Sequence, residues 1–198
     1  EGGTWLGLNE HGLIVAVTNR RITEAPENPR SRGLLVRDLL GCPGASVATG
    51  MALTELAKKR YRGCNLFLAD ADNAIVIQAA DWLRVHPLPP GIHVITNTDL
   101  NSDTDPRSRH AMEWLSERVT TRSEDCLELL KELCSQTGED SAPMCLREEN
   151  RGTVSSSLIA LRWSLSESSY WHAQGPPDVT EYEDVSELIG RLGEGVTS

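Results

Sequence analysis

The stretch GGTWLGLNEHGLIVAVTNRR, residues 2–21, decides how the fold begins. Residues 13–17 form a short continuous apolar run, which is typical of a strand covered on both faces. Residues 9–12 form a turn signal before it, so we predict an antiparallel hairpin. Its second strand ends on the polar pair Thr18-Asn19, which packing of an apolar strand does not require. The two predicted strands cover residues 4–8 and 13–19.

The composition limits the function classes. The chain has 198 residues, suits a single domain over residues 1–198, and carries a formal net charge of -10. Such an acidic chain is a poor partner for nucleic acid, because phosphate binding needs a basic face. No apolar run approaches the roughly 20 residues that span a bilayer, so we predict no membrane span.

The cysteines are odd in number, and no pair has CxxC spacing. This pattern favours free thiols in a reducing compartment, and we predict a cytoplasmic protein. No close Cys/His pair suggests a metal site, and we predict no cofactor. The cysteines are Cys42, Cys64, Cys126, Cys134 and Cys145.

The rest of the first half alternates helices and strands. Ser31 is a candidate N-cap for a helix to about residue 40, and a second helix follows to about residue 60. Its predicted inward face is Val47, Ala48, Met51, Ala52 and Leu56. The predicted strands cover residues 65–70, 74–79, 82–88 and 92–97.

The second half begins with a helix capped by Asp105, with Pro106 as its first residue. Another helix follows Ser123, residues 137–151 form a loop, and 153–162 pairs with 168–174 in a closing hairpin. The inward stripes of the three predicted helices are Ala111, Trp114, Leu115 and Val119; Cys126, Leu127, Leu130, Leu133 and Cys134; and Val185, Leu188, Ile189 and Leu192.

The order of elements predicts an α+β fold. Hairpins normally leave one sheet face in water, whereas several strands here are apolar on both faces. That favours two stacked sheets with helices outside, a four-layer α/β/β/α sandwich. An ordinary two-layer α+β domain is the alternative.

Two predicted strands end in the same way, on Thr18-Asn19 and on Thr96-Asn97. Two asparagine side-chain donors beside a nucleophile would stabilise the oxyanion of a tetrahedral intermediate. The alternative is structural, because asparagine is common where a strand enters a turn.

Arginines near these strand ends are candidates for anion binding. Arg20 and Arg21 offer bidentate donors for a substrate carboxylate. Arg107 and Arg109, in the first turn of a predicted helix, are placed to flank a pocket mouth; solvent exposure is the alternative for all four. The serines at 155–157 have no base nearby in sequence, so we predict no serine nucleophile.

Five segments, in order, resemble the NRDE family, which includes the transport-and-Golgi-organisation proteins. They are GGTWLGLNEHGLIVAVTNRR, SRGLLVRDLL, YRGCNLFLADA, PGIHVITNTDL and RGTVSSSLIAL. The resemblance implies an N-terminal-nucleophile hydrolase fold, in agreement with the sandwich. Related enzymes cleave non-peptide amide bonds with an N-terminal cysteine whose own α-amino group serves as base. By this similarity Asn19 and Asn97 take the places of two oxyanion-binding asparagines.

The sequence departs from the family pattern in two ways. It contains neither a Met-Cys start nor an Asn-Arg-Asp-Glu string, so we expect an N-terminally truncated chain that lacks its first strands and is inactive as it stands. The usual Gly-Thr-Arg reads Gly152-Thr153-Val154, which leaves Arg151 as the candidate replacement for substrate binding.

Two functions stay open at this point. The first is a cysteine amidohydrolase when full length. The second is a non-catalytic protein that binds or carries a small ligand such as haem or a lipid, as the Golgi-organisation relatives suggest. Both imply a small-molecule partner, and the sequence leaves a homo-oligomer open.

Overall fold

The computed structural model describes residues 2–118, 123–138 and 142–194. It is a mixture of helices and antiparallel sheets, so the predicted α+β class is confirmed. The chain divides into two compact units, Glu1–Leu100 and Asn101–Ser198. That the two units form a single domain stays a prediction.

The first unit is a five-stranded antiparallel meander with two helices. The predicted hairpin at its start is confirmed, because Leu6 pairs with Ala16 and Leu8 with Ile14. The strands lie in the order β1-β2-β3-β4-β5. The elements are β1 (Leu6–Leu8), β2 (Ile14–Asn19), α1 (Arg32–Leu39), α2 (Ala45–Ala57), β3 (Cys64–Ala69), β4 (Ala74–Ala79) and β5 (Leu83–Pro87).

The core of this unit lies on one face of the sheet, where α1 and α2 pack. Side chains from both helices and from β2 to β4 are fully buried there, among them Val15, Leu35, Leu66 and Ile77. Helix α1 approaches the start of the chain closely, because a Cβ on Gly3 would lie 2.5 Å from the carbonyl carbon of Gly33.

The predicted inward face of α2 is partly wrong. Ala48, Ala52 and Leu56 are buried, whereas Val47 is 56% exposed and Met51 38% exposed. The buried row is completed by Ala45 instead. Small alanines at three of the four buried positions let the helix lie close against the sheet.

The predicted strand over residues 92–97 is wrong, because this segment joins none of the sheets. Two side chains of the sheet hydrogen-bond to its backbone. The carbonyl oxygen of Thr96 accepts hydrogen bonds from Thr18 Oγ1 and Asn65 Nδ2.

In its described residues, the second unit has three α-helices, a short 3-10 helix (Leu165–Glu167), a three-stranded sheet in the order β10-β9-β8 and a small hairpin. The cap of α3 is confirmed, since the Asp105 carboxylate accepts from the N–H groups of Arg107 and Ser108. The elements are α3 (Pro106–Ser116), α4 (Ser123–Cys134), β6 (Arg147–Glu148), β7 (Arg151–Gly152), β8 (Ser156–Ala160), β9 (Ser169–Ala173), β10 (Glu183–Asp184) and α5 (Glu187–Glu194).

The predictions for this unit are confirmed in part. The closing hairpin exists, with Leu158 opposite Trp171, but residues 137–151 are not wholly loop because β6 and part of β7 lie there. Of the residues predicted to face inward, Ala111, Leu115, Leu133 and Ile189 are buried, whereas Leu188 is 47% exposed. The others in the described part of the chain are half-buried. The predicted inward residue Val119 lies outside the described residues.

Candidate functional site

A row of polar side chains crosses the sheet of the first unit on the face opposite α1 and α2. Thr18, Asn65 and Gln78 are direct partners across β2, β3 and β4. Side chains alternate between the two faces of a strand, so these three and Arg20 share one face. Asn65 is 1% and Gln78 2% exposed. We call these four residues the strand-end cluster.

The cluster binds the loop that carries Asn97. Asn65 Nδ2 donates to the carbonyl oxygens of Thr96 and Thr98, at 2.9 Å in both cases. Thr18 Oγ1 donates to the same oxygen of Thr96 at 2.7 Å. Both carbonyl groups that flank Asn97 are therefore fixed by side chains of the sheet.

Arg20 completes this attachment. Its side chain is 11% exposed, and it forms an ion pair with Asp99. Its Nη1 donates to the carbonyl of Thr98 at 2.6 Å and to Asn65 Oδ1 at 3.3 Å. The guanidinium lies 5.0 Å from the ring centre of Trp82, a cation–π contact.

Gln78 links the cluster to the next strand and to the end of the loop. The orientation of its side-chain amide that satisfies both ends turns the oxygen toward Arg20 and Leu100. In that orientation the oxygen accepts from Arg20 Nη1 at 2.9 Å and from the backbone N–H of Leu100 at 3.0 Å, and the nitrogen donates to His86 Nε2 at 2.9 Å. A buried amide with these partners meets the requirement that buried polar groups be hydrogen-bonded.

The two asparagines predicted for the oxyanion occupy different positions. Asn97 is exposed, between two fixed carbonyls. Asn19 is exposed at the end of β2, opposite Cys64. Strand alternation places Asn19 with Val17 and Cys64, on the face that carries α1 and α2. The structure thus brings Thr18, rather than Asn19, to the loop of Asn97.

The predicted arginines also differ in their surroundings. Arg20 lies in the strand-end cluster, whereas Arg107, Arg109 and Arg151 belong to the second unit. Arg107 Nε donates to the carbonyl of Pro143 at 2.9 Å, and Arg109 is exposed on α3. Arg151 is 73% exposed and paired with Glu148, and its contact with substrate stays a prediction.

The cysteines are free thiols. Burial raises the pKa of Cys64 to about 12, which keeps this thiol protonated. Burial is also the largest cause of the raised pKa values of Cys42, Cys134 and Cys145. Cys126 is half-buried on α4.

A cleft lies at the strand-end edge of the first unit. It has a volume of about 640 Å³ and is bounded by the loop after β2, the end of α2 and the β4–β5 turn. Tyr61 and Trp82 contribute aromatic walls. A neighbouring hollow of about 320 Å³ is lined by Arg20, Arg21 and Trp82. The volumes of the cleft and of the hollow both fall within the range of small-molecule binding sites.

Asn65 and Gln78 were missed by the sequence prediction, although a signal was present. Each is a polar residue within an otherwise apolar strand, and each lies at a position that the β3–β4 turn brings into register. A buried strand rarely carries an amide unless that amide has a fixed partner.

The fold and the cluster together define a class: an α+β protein whose antiparallel sheet fixes an asparagine-bearing loop through buried polar side chains. The family model Transport and Golgi organisation 2 matches residues 1–170, and the chain belongs to this family. This confirms the resemblance found in the sequence. No curated protein matches the chain.

Two further observations bear on ligands and membranes. Within residues 2–118, 123–138 and 142–194, no group of three or more His, Cys, Asp and Glu side chains is placed to hold a metal ion. In the part of the chain that the structure describes, every helix is too short or too polar to span a bilayer.

Proposed function

We propose that this chain supplies the oxyanion-binding part of an amide-hydrolysing site. The observation that carries the proposal is the attachment of the Asn97 loop. Thr18, Arg20 and Asn65 fix the carbonyls on both sides of Asn97, while the Asn97 side chain stays exposed. A donor held in place before the reaction is what stabilises developing charge most effectively.

In the proposed reaction a thiolate attacks the carbonyl carbon of a non-peptide amide. Asn97 Nδ2 donates to the resulting oxyanion. Asn19, the other predicted donor, lies on the opposite face of the sheet and has no part in this step. The thiolate comes from an N-terminal cysteine outside residues 1–198. Burial raises the pKa values of Cys42, Cys64, Cys134 and Cys145, which makes these four thiols poor nucleophiles. The four-layer sandwich of N-terminal-nucleophile hydrolases is part of this proposal.

Arg20 receives a different task from the one predicted. Its guanidinium already bonds Asn65, Thr98 and Asp99, so we assign it to positioning the loop rather than to contacting substrate. Substrate contacts by Arg107, Arg109 and Arg151 remain proposals.

The test begins with the native protein from its source, whose mass and N-terminal sequence show whether a cysteine precedes residue 1. Hydrolysis of p-nitroanilides of acetic to octanoic acid is then measured for this protein and for residues 1–198. We expect activity in the first and none in the second. Asn97→Ala should lower kcat about 100-fold, the usual cost of one oxyanion donor.

Asn73→Ala is the matched control, because Asn73 is an exposed asparagine in the β3–β4 turn of the same unit. It should leave kcat unchanged. Equal activity of native protein and residues 1–198, or a native Asn97→Ala enzyme with unchanged kcat, would refute the proposal.

The cleft favours a second candidate function, binding of a small amphipathic ligand such as haem or a lipid. Its volume of about 640 Å³ and its aromatic walls suit such a molecule. A haemin titration of residues 1–198, followed by tryptophan fluorescence, tests it. Saturable quenching at a one-to-one ratio supports binding; a linear decrease without saturation excludes it for haem.

A further inference from the structure

The closing hairpin of the second unit brings a serine and a histidine together. Ser157 on β8 and His172 on β9 are direct cross-strand partners. Ser157 Oγ lies 2.9 Å from His172 Nδ1. Both residues are half-buried. The base that the sequence prediction sought near Ser157 is thus fifteen residues away along the chain and directly opposite in the sheet.

The neighbours of His172 define where its proton lies. His172 Nε2 is 3.1 Å from Gln174 Oε1, and an amide oxygen only accepts hydrogen bonds. The tautomer with its hydrogen on Nε2 satisfies both contacts. In that tautomer the Ser157 hydroxyl donates to Nδ1, which is the orientation that a general base needs.

A third side chain serves the serine oxygen itself. The Tyr170 hydroxyl lies 3.4 Å from Ser157 Oγ, and its ring stands edge-on to that of His172 at 6.1 Å between centroids. Because the Ser157 hydroxyl donates its hydrogen to His172, its oxygen can accept a hydrogen bond from the Tyr170 hydroxyl. This hydrogen bond stabilises the negative charge that develops on Oγ when the proton leaves.

The arrangement occupies one face of the three-stranded sheet. Tyr170, His172 and Gln174 alternate to the same side, and Glu183 on β10 is the cross-strand partner of His172. Ser156 points to the other side, where it accepts a hydrogen bond from Tyr182 at 2.6 Å. Neighbouring serines of one strand thus have separate environments.

We propose that Ser157 is a nucleophile toward carboxylic esters, with His172 as its base and Gln174 as the residue that orients the imidazole. Nucleophile, base and orienting group within hydrogen-bond reach are the signature of such a site. Ser157 Oγ bonds to the ester carbonyl carbon and its proton passes to His172 Nδ1. The bond from that carbon to the alcohol oxygen then breaks, and the alcohol leaves with the proton. Water releases the acid by the same steps.

A fluorophosphonate probe tests this on residues 1–198. Ser157 Oγ should bond to phosphorus as fluoride leaves and His172 takes the proton. Peptide mapping by mass spectrometry should locate one adduct, on Ser157. His172→Gln should slow labelling, and the release of p-nitrophenol from p-nitrophenyl acetate, by about 100-fold, the usual contribution of a general base.

Ser155→Ala is the matched control, because Ser155 is an exposed serine two residues away. It should label at the wild-type rate. The modified serine is identified in the wild-type protein by mass spectrometry. The test therefore does not depend on whether a Ser157→Ala variant folds. An adduct at another serine, no adduct at all, or equal labelling of a folded His172→Gln protein would overturn the proposal. The outcome is independent of Asn97 and the amide-hydrolysing site.

Discussion

Arg20 and Arg151 were both predicted to bind substrate, and the structure gives them opposite surroundings. The side chain of Arg20 is 11% exposed and bonded to a buried asparagine, a backbone carbonyl and a carboxylate. The side chain of Arg151 is 73% exposed and bonded to Glu148, three residues away in a two-residue-per-strand hairpin. The guanidinium of Arg20 holds the loop of Asn97 against the sheet, whereas that of Arg151 pairs with a neighbouring carboxylate on the surface.

The difference teaches that the partners of an arginine, and not its place beside a motif, decide its role. Arg20 acts on residues nearly eighty positions further along the chain, so removing its partners disturbs tertiary structure. Arg151 acts within its own hairpin, where solvent replaces any lost contact. Three substitutions, taken from the largest expected effect to the smallest, test this contrast.

Asn65→Ala should have the largest effect on stability. Asn65 is 1% exposed and bonds Thr96, Thr98 and Arg20. Truncation leaves a cavity and removes one partner from each of these groups. We expect a loss of about 3 kcal/mol in the free energy of unfolding, the upper range for a buried group deprived of its partners. Urea unfolding followed by circular dichroism measures it.

The Asn73→Ala variant serves again as control for this measurement, and exposed substitutions of this kind change stability by less than about 0.5 kcal/mol. If Asn65→Ala matches that control, the strand-end cluster does not hold the Asn97 loop. The basis of the proposed oxyanion donor would then be lost as well.

Arg20→Lys should have an intermediate effect. An ammonium group keeps the charge but reaches one acceptor at a time, so the bonds to Asn65, Thr98 and Asp99 cannot all be made. We expect a loss of about 1.5 kcal/mol and earlier proteolysis of the loop after β5. Arg21→Lys, at the exposed neighbouring position, should change neither. Equal behaviour of the two variants would show that Arg20 contributes only charge.

Much of the fold could be predicted because it follows from local patterns. The apolar run at residues 13–17 and the turn signal at residues 9–12 predicted the first hairpin. The Asp105-Pro106 pair predicted the start of α3. Residues 92–97 could not be predicted in this way. Their partners are the side chains of Thr18 and Asn65, which lie far away in sequence and become neighbours only through the register of β2 and β3.

The candidate sites follow the same rule. Asn97 was predicted as an oxyanion donor because it ends a predicted strand, but the side chains that hold its loop were not predicted. Ser157 was set aside because its base was sought nearby in sequence. An antiparallel pair brings together residues that are separated by the whole hairpin, so His172 could be found only after the strand register was known.

Arg151→Ala should have the smallest effect on stability and should still leave a local trace. The hydrogen bond from Arg151 is the largest cause of the lowered pKa of Glu148, and the charge of Arg107 contributes less. Without Arg151 the pKa of Glu148 should rise toward its ordinary value of 4.5, as an NMR titration would show.

The same pair bears on stability against pH. A lowered carboxylate pKa stabilises the fold at pH values above the pKa of the unfolded state, and that stabilisation is lost as pH falls through the pKa of the folded state. Because the pair is exposed, this stabilisation is small. At pH 7 we expect wild type and variant to unfold at the same urea concentration as each other, and we expect the same agreement between them at pH 3. A large loss of stability at pH 7 would instead place Arg151 in a structural role like that of Arg20.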